Sequence, residues 1–140
     1  MRKKLLLVED DSLVATMLDI MLQRLGFECK HAKNSEIALK LFMNEASAGR
    51  PFEIVIIDLV LDDNKMAGAE LLKELREVRP NFVAILCSGY TTSTVVENYK
   101  DYGFDYRLNK PFSWNNFQEF ITHNLGFNDS SEMNSSEISS

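Results

Sequence analysis

The run Phe52-Glu53-Ile54-Val55-Ile56-Ile57-Asp58 decides how the rest of this chain is read. Its β-branched residues stand at successive rather than alternate positions, so both faces are apolar and the segment reads as a strand covered on both sides. Sheets built from such strands are parallel, with helices on each face. The run stops abruptly on a carboxylate, which places Asp58 at the carboxyl end of a central strand. In open α/β sheets, ligands and chemistry collect in the crevice beyond that edge.

The same pattern recurs on either side. Lys4 to Val8 is a short apolar run that stops on Glu9, Asp10 and Asp11. Ser12 is placed to cap a helix in which Val14, Met17, Leu18, Met21 and Leu25 recur at helical spacing, until Gly26 supplies a left-handed stop. Leu13, Ile20 and Leu22 fall outside that stripe, an apolar excess that suits either deep packing or a partner. Phe27 to Ala32 reads as a second strand, and Asn34 or Ser35 opens a helix with Ile37, Ala38, Leu41 and Phe42 on one face. Asn44 to Pro51 reads as a polar loop, with Gly49 and Pro51 as breakers.

Beyond Asp58, the turn-rich segment Leu59 to Ala67 holds Asp62, Asp63 and Asn64 and leads into a helix carrying Leu71, Leu72 and Leu75, which ends by Pro80. Val83 to Cys87 reads as the fourth strand, handing over at Ser88, Gly89 and Tyr90. Thr91 to Tyr102 suggests a helix of weak amphipathicity, and Phe104 to Leu108 the fifth strand. Asn109 to Phe112 makes a turn into a last helix, capped by Ser113 and lined by Trp114, Phe117, Phe120 and Ile121. Five βα units in succession predict an α/β fold: a flavodoxin-like, doubly wound five-stranded parallel sheet, (βα)5, with right-handed crossovers and strand order 2-1-3-4-5.

Composition bounds the rest. A chain of 140 residues that is 45% hydrophobic suits one domain, read here as 1–127, while 128–140 turns to Asn, Asp, Ser and Glu and reads as a disordered polar tail. A net charge of -6 and the lack of a basic stripe argue against a nucleic-acid surface. Arg2, Lys3 and Lys4 read as a solvated edge. Cys29 and Cys87 lack metal-ligand spacing and sit in strand-like runs, so they read as reduced core thiols. With neither a signal-peptide pattern nor a membrane-length apolar run, the chain is expected in the cytoplasm without direct membrane contact.

Four strand ends thus deliver polar groups to one edge: Glu9 with Asp10, then Asp58, Ser88 and Lys110. Taken singly, each reads as loop solvation, a helix cap or a turn. As a set they describe a site. Three carboxylates converging on a crevice repel one another unless a cation sits among them, and hard oxygen ligands suit Mg2+. A carboxylate beside such a cation, with a hydroxyl and an ammonium aimed at the same point, is equipped to receive a phosphoryl group. Asp58 is the candidate nucleophile.

These residues resemble the response-regulator receiver domains (CheY-like) of two-component signalling. The similarity covers Lys4 to Leu125 and is carried by Leu-Leu-Val-Glu-Asp-Asp (6–11), Ile-Ile-Asp-Leu (56–59), Cys-Ser-Gly-Tyr (87–90) and Asn-Lys-Pro-Phe (109–112). The resemblance implies that Asp10 ligates Mg2+ directly and Glu9 through water, that Asp58 accepts the phosphoryl group and also binds metal, and that Val60 contributes a backbone carbonyl. It implies further that Ser88 hydrogen-bonds the phosphoryl group, that Lys110 ion-pairs with it, and that the Lys110–Pro111 bond is cis.

The implied donor is a histidine kinase or histidine phosphotransfer protein, docking near Leu13. Output would be by protein docking, with no separate substrate turnover, and a weak homodimer is compatible. The stretch Val96 to Pro111 is most similar to receivers of hybrid sensor histidine kinases. Against the pattern, the loop after Asp58 lacks the usual proline, is longer and carries Asp62 and Asp63, and Arg107 stands where the family places a switch aromatic. Val60 and Tyr90 flank the expected path of attacking water and suggest slow self-dephosphorylation. The alternatives are a pseudo-receiver acting only by interaction and, more distantly, a metal-dependent phosphatase or a flavodoxin. Flavin is disfavoured by acids where a phosphate cradle wants glycines.

Overall fold

The computed structural model describes residues 2–61, 64–89, 94–110 and 113–125. Strands β1 (Lys4–Val8), β2 (Glu28–Ala32), β3 (Ile54–Asp58), β4 (Val83–Ser88) and β5 (Tyr106–Asn109) pair in parallel in the order β2-β1-β3-β4-β5. Between them run α1 (Ser12–Arg24), α2 (Ser35–Ser47), α3 (Ala67–Val78), α4 (Thr94–Glu97) with a 3-10 turn at Tyr99–Tyr102, and α5 (Trp114–Leu125). This is the expected doubly wound, flavodoxin-like sheet.

β1 and β3 are buried at every position, and their alternation divides the interior into two cores. Leu5, Leu7, Ile54 and Ile56 face one way, onto Leu18 and Leu22 of α1 and Phe117 and Ile121 of α5. Leu6, Val8, Val55 and Ile57 face the other way, onto Ala38 and Phe42 of α2 and Leu71, Leu72 and Leu75 of α3. Each such side chain contributes about 1.5–3 kcal/mol by leaving water. Together they hold the ends of β1 and β3 side by side.

Several expectations are corrected. Asp11, not Ser12, caps α1: its carboxylate accepts from the Leu13 and Val14 amides at 3.0 and 3.2 Å. The buried face of α1 is Ala15, Leu18, Leu22 and Leu25, so Leu22 belongs to the core and Met17 does not. Leu13 (81% exposed), Met17 (44%) and Ile20 (51%) form an apolar ridge opposite that face. Apolar residues nearly all round the helix leave periodicity unable to choose the phase.

Of the segment Asn44 to Pro51, expected to be a loop, the first four residues stay helical to Ser47. Glu45 accounts for this, because its buried carboxylate takes the Lys4 ammonium, which also donates to the Arg50 carbonyl at 3.0 Å and lies over the Phe52 ring. Lys4 is therefore buried within β1 rather than part of a solvated edge. The helix expected over Thr91–Tyr102 is reduced, within the described residues, to Thr94–Glu97 and the 3-10 turn. Among the described residues Val95 and Val96 are its buried anchors, too few to carry the helix on to Tyr102.

Arg76, unremarked in the sequence, ties three elements together. Its guanidinium donates to the carbonyls of Pro80, Phe82 and Gly103 and to Asp105, and stacks on the Phe82 ring. Gly26, at φ 94°, and the Ser113 side chain, accepting from the Asn116 amide, end α1 and cap α5 as expected.

Candidate functional site

The sheet brings Glu9, Asp10, Asp58 and Lys110 to one point at the carboxyl edge, where the chain leaves β1 and β3 toward opposite faces and the strand order reverses. Carboxylate oxygens of Glu9, Asp10 and Asp58 lie within 4.8 Å of one another. The Lys110 ammonium stands 2.7 Å from Glu9 Oε1 and 3.3 Å from Asp58 Oδ2. Asp10 is exposed, whereas Glu9 and Asp58 are only 2% and 8% exposed. Ser88 ends β4 one position beyond Cys87, the register partner of Asp58, and its carbonyl accepts from the Lys110 amide at 2.9 Å. Val60, two residues past Asp58, is half-buried against the core.

Backbone connections explain why these groups converge. The amide of Leu59 donates to the Cys87 carbonyl at 3.2 Å, extending the β3–β4 ladder past Asp58. Gly68 then lets the first turn of α3 lie directly on the strand end, because a Cβ there would be 2.4 Å from the Asp58 carbonyl oxygen. Its amide donates to the Leu59 carbonyl at 3.1 Å.

Burial, reinforced by the negative charge of Glu9, pushes the Asp58 carboxyl up to about 7 even though Lys110 pulls the other way. Burial draws the Lys110 ammonium down, but its hydrogen bond to Glu9 and the charge of Asp58 prevail, so its affinity for its proton is raised. Two buried acids share one ammonium, with a third acid at the rim. Such a set of hard oxygen donors, short of positive charge, fits a divalent cation of the magnesium kind. Burial also pushes the adjacent Cys87 thiol up to about 12, which leaves it unreactive near neutrality.

One residue that sequence reading passed over touches the site. His31, next to the end of β2, hydrogen-bonds the Glu9 carbonyl at 2.7 Å through Nε2. Its signal was only a polar aromatic near the end of a neighbouring strand. Arg107 donates to the Val96 carbonyl at 3.1 Å and lies 5.9 Å from the Tyr99 ring, tying β5 to α4. Asp62, Asp63, Tyr90 and Pro111 lie outside the described residues, as does 128–140.

An acid cluster and a lysine stand at the switch point of a 2-1-3-4-5 sheet, the place where doubly wound α/β domains bind their ligands. Residues 5–122 match the family described as response regulator receiver domain, and the chain belongs to it. It is a receiver domain of the two-component response-regulator type, a class of phosphoacceptor signalling domains. Among curated relatives it is 32% identical over 77% of its length to a putative response regulator NtrX-like of Rickettsia bellii, of which it covers 22%. The chain spans less than half of the length of the first such relatives.

Among solved structures, a receiver domain protein (CheY-like) of Methanospirillum hungatei superposes with TM-score 0.76 at 26% identity, covering 90% of this chain and 95% of that one. The response regulator TrrA of Thermotoga maritima, solved in complex with Mg(2+)-BeF, gives TM-score 0.69 at 26% identity over 86% of this chain and 97% of that one. No helix among the described residues is long and apolar enough to cross a membrane.

Proposed function

We propose that Asp58 accepts a phosphoryl group from a phosphohistidine of a histidine kinase or histidine phosphotransfer protein, in a magnesium-dependent reaction. The observation that carries this reading is the convergence of the Glu9, Asp10 and Asp58 oxygens within 4.8 Å beside the Lys110 ammonium. A binding-only pseudo-receiver has no need of a charged set held this way.

Glu9, Asp10, Asp58 and the Val60 carbonyl would hold the cation, with Asp10 as the exposed direct ligand. When bound, the cation neutralises developing charge on the phosphoryl oxygens. A carboxylate oxygen of Asp58 attacks phosphorus in line as the P–N bond to the donor imidazole breaks. Lys110 holds positive charge against the transferring oxygens, and the Ser88 hydroxyl donates to one of them. The domain works as a phosphoacceptor without turnover of a separate substrate, and its output is by docking. We read the receiver as 1–127, followed by a polar tail, in a cytoplasmic relay of the kind found with hybrid kinases.

Incubation with acetyl phosphate and Mg2+ should yield a single phosphoryl adduct by intact mass that is missing in Asp58→Asn. An adduct that persists in that variant, or no adduct with the native protein, overturns the assignment. The ridge of Leu13, Met17 and Ile20 beside the acidic edge supplies an apolar surface for the donor's helices. Leu13→Asp should slow transfer from a phosphohistidine donor about tenfold or more, as expected for an interface hot spot, and leave labelling by acetyl phosphate unchanged. Equal slowing with both donors would place the effect at Asp58 rather than at docking.

A further inference from the structure

Glu9 is held at four points, and three of them have an evident role. Its amide donates to the Ala32 carbonyl at 3.1 Å, continuing the sheet one residue past β1. Oε1 takes the Lys110 ammonium, and Oε2 accepts from the Asp11 amide at 3.1 Å, closing the turn that leads into α1. The fourth hold is the 2.7 Å hydrogen bond between the Glu9 carbonyl and His31. A carbonyl oxygen can only accept, so this bond fixes the proton on Nε2. The imidazole is exposed, so burial does not explain its placement.

The consequence lies one residue further on. A peptide unit is planar, so the direction of the Glu9 carbonyl also fixes the Asp10 amide and Cα. Asp10 is the exposed member of the acid cluster and begins the turn into α1, one residue past the Glu9 amide bond that closes the β1–β2 ladder. We infer that His31 is a positioning residue for the cation site: by holding the Glu9 carbonyl, it sets the peptide plane from which Asp10 presents its carboxylate toward Glu9 and Asp58. This rests on the magnesium-dependent reading above. Groups that orient a ligand without touching the metal commonly change metal affinity by 10–100-fold when removed.

Calorimetric titration of the intact protein with MgCl2 tests this on the wild type, His31→Ala, His31→Gln and Asp10→Asn. The glutamine amide can offer a donor at similar reach. His31→Ala should bind Mg2+ about tenfold more weakly. His31→Gln should return to within about threefold of wild type, as befits one retained hydrogen bond. Metal-free melting temperatures of the His31 variants should stay within about 4 °C of wild type, since a single part-buried hydrogen bond adds little to stability.

Unchanged affinity in His31→Ala overturns the inference and leaves the magnesium reading standing. Equal weakening in the alanine and glutamine variants also overturns it, as does a lowered melting temperature with normal affinity, which would mark a purely structural histidine. Wild-type protein that fails to bind Mg2+, or Asp10→Asn that binds it as well as wild type, overturns both.

Discussion

Replacing Lys110 with methionine should destabilise the metal-free protein by about 2–3 kcal/mol at pH 8 and by far less at pH 5. The ammonium is the counter-charge shared by Glu9 and Asp58, at 2.7 and 3.3 Å, and methionine keeps its stem without the charge. Breaking a buried pair leaves an uncompensated charge, which typically costs about 3–5 kcal/mol. The lower figure expected here reflects a lysine side chain that keeps 22% of its exposure.

The sign of the pH dependence follows from Asp58. Its carboxyl is already pushed up to about 7 by burial and by Glu9, and loss of Lys110 moves it further up. A folded carboxyl raised above its unfolded value of about 3.9 binds its proton more tightly in the folded state. The resulting penalty is absent below the unfolded value, grows as pH rises toward the folded one, and is complete above it. At pH 5 Asp58 is protonated in both proteins, and its repulsion with Glu9 is gone. Urea denaturation at the two pH values checks this, and an equal loss at both would assign the cost to packing of the stem.

The second large effect is expected from Gly68→Ala. Within a helix this change ordinarily gains up to about 1 kcal/mol. Here the added Cβ would meet the Asp58 carbonyl oxygen at 2.4 Å, the Leu59 Cα at 3.0 Å and the Leu59 carbonyl oxygen at 3.1 Å. All three are backbone atoms, so no side chain can swing aside. Either α3 lifts away or the peptide after Asp58 shifts. A loss of about 3 kcal/mol is expected, at the upper end for overpacking, together with slower labelling of Asp58. The matching change at Gly89, which has no atom within 4 Å of an added Cβ, should cost much less. Urea denaturation and the acetyl phosphate reaction measure both consequences, and a Gly68→Ala protein as stable as wild type would show that the close approach is easily relieved.

By itself the sequence determined the layers, the direction of the sheet and the edge at which the acid cluster and Lys110 gather. Unbroken apolar runs such as Ile54–Ile57 have one stable setting, between two layers of helices, and each stops where its backbone leaves that shelter. Polar residues at those stops therefore mark the edge, which made Glu9, Asp10, Asp58, Ser88 and Lys110 legible as a set before any contact was seen. Only the tertiary structure decided matters that depend on pairing across the chain. Local pattern treats Lys4 as surface and Glu45 as loop, yet 41 residues apart they neutralise each other in the interior, and each changes the reading of the other. The phase of α1 was open because almost every face of it is apolar, and contact with the sheet chose Leu22 over Met17. His31 and Gly68 were invisible as site residues for the same reason: one acts through the carbonyl of Glu9 and the other through an absent side chain, and neither effect exists until the strand ends are side by side.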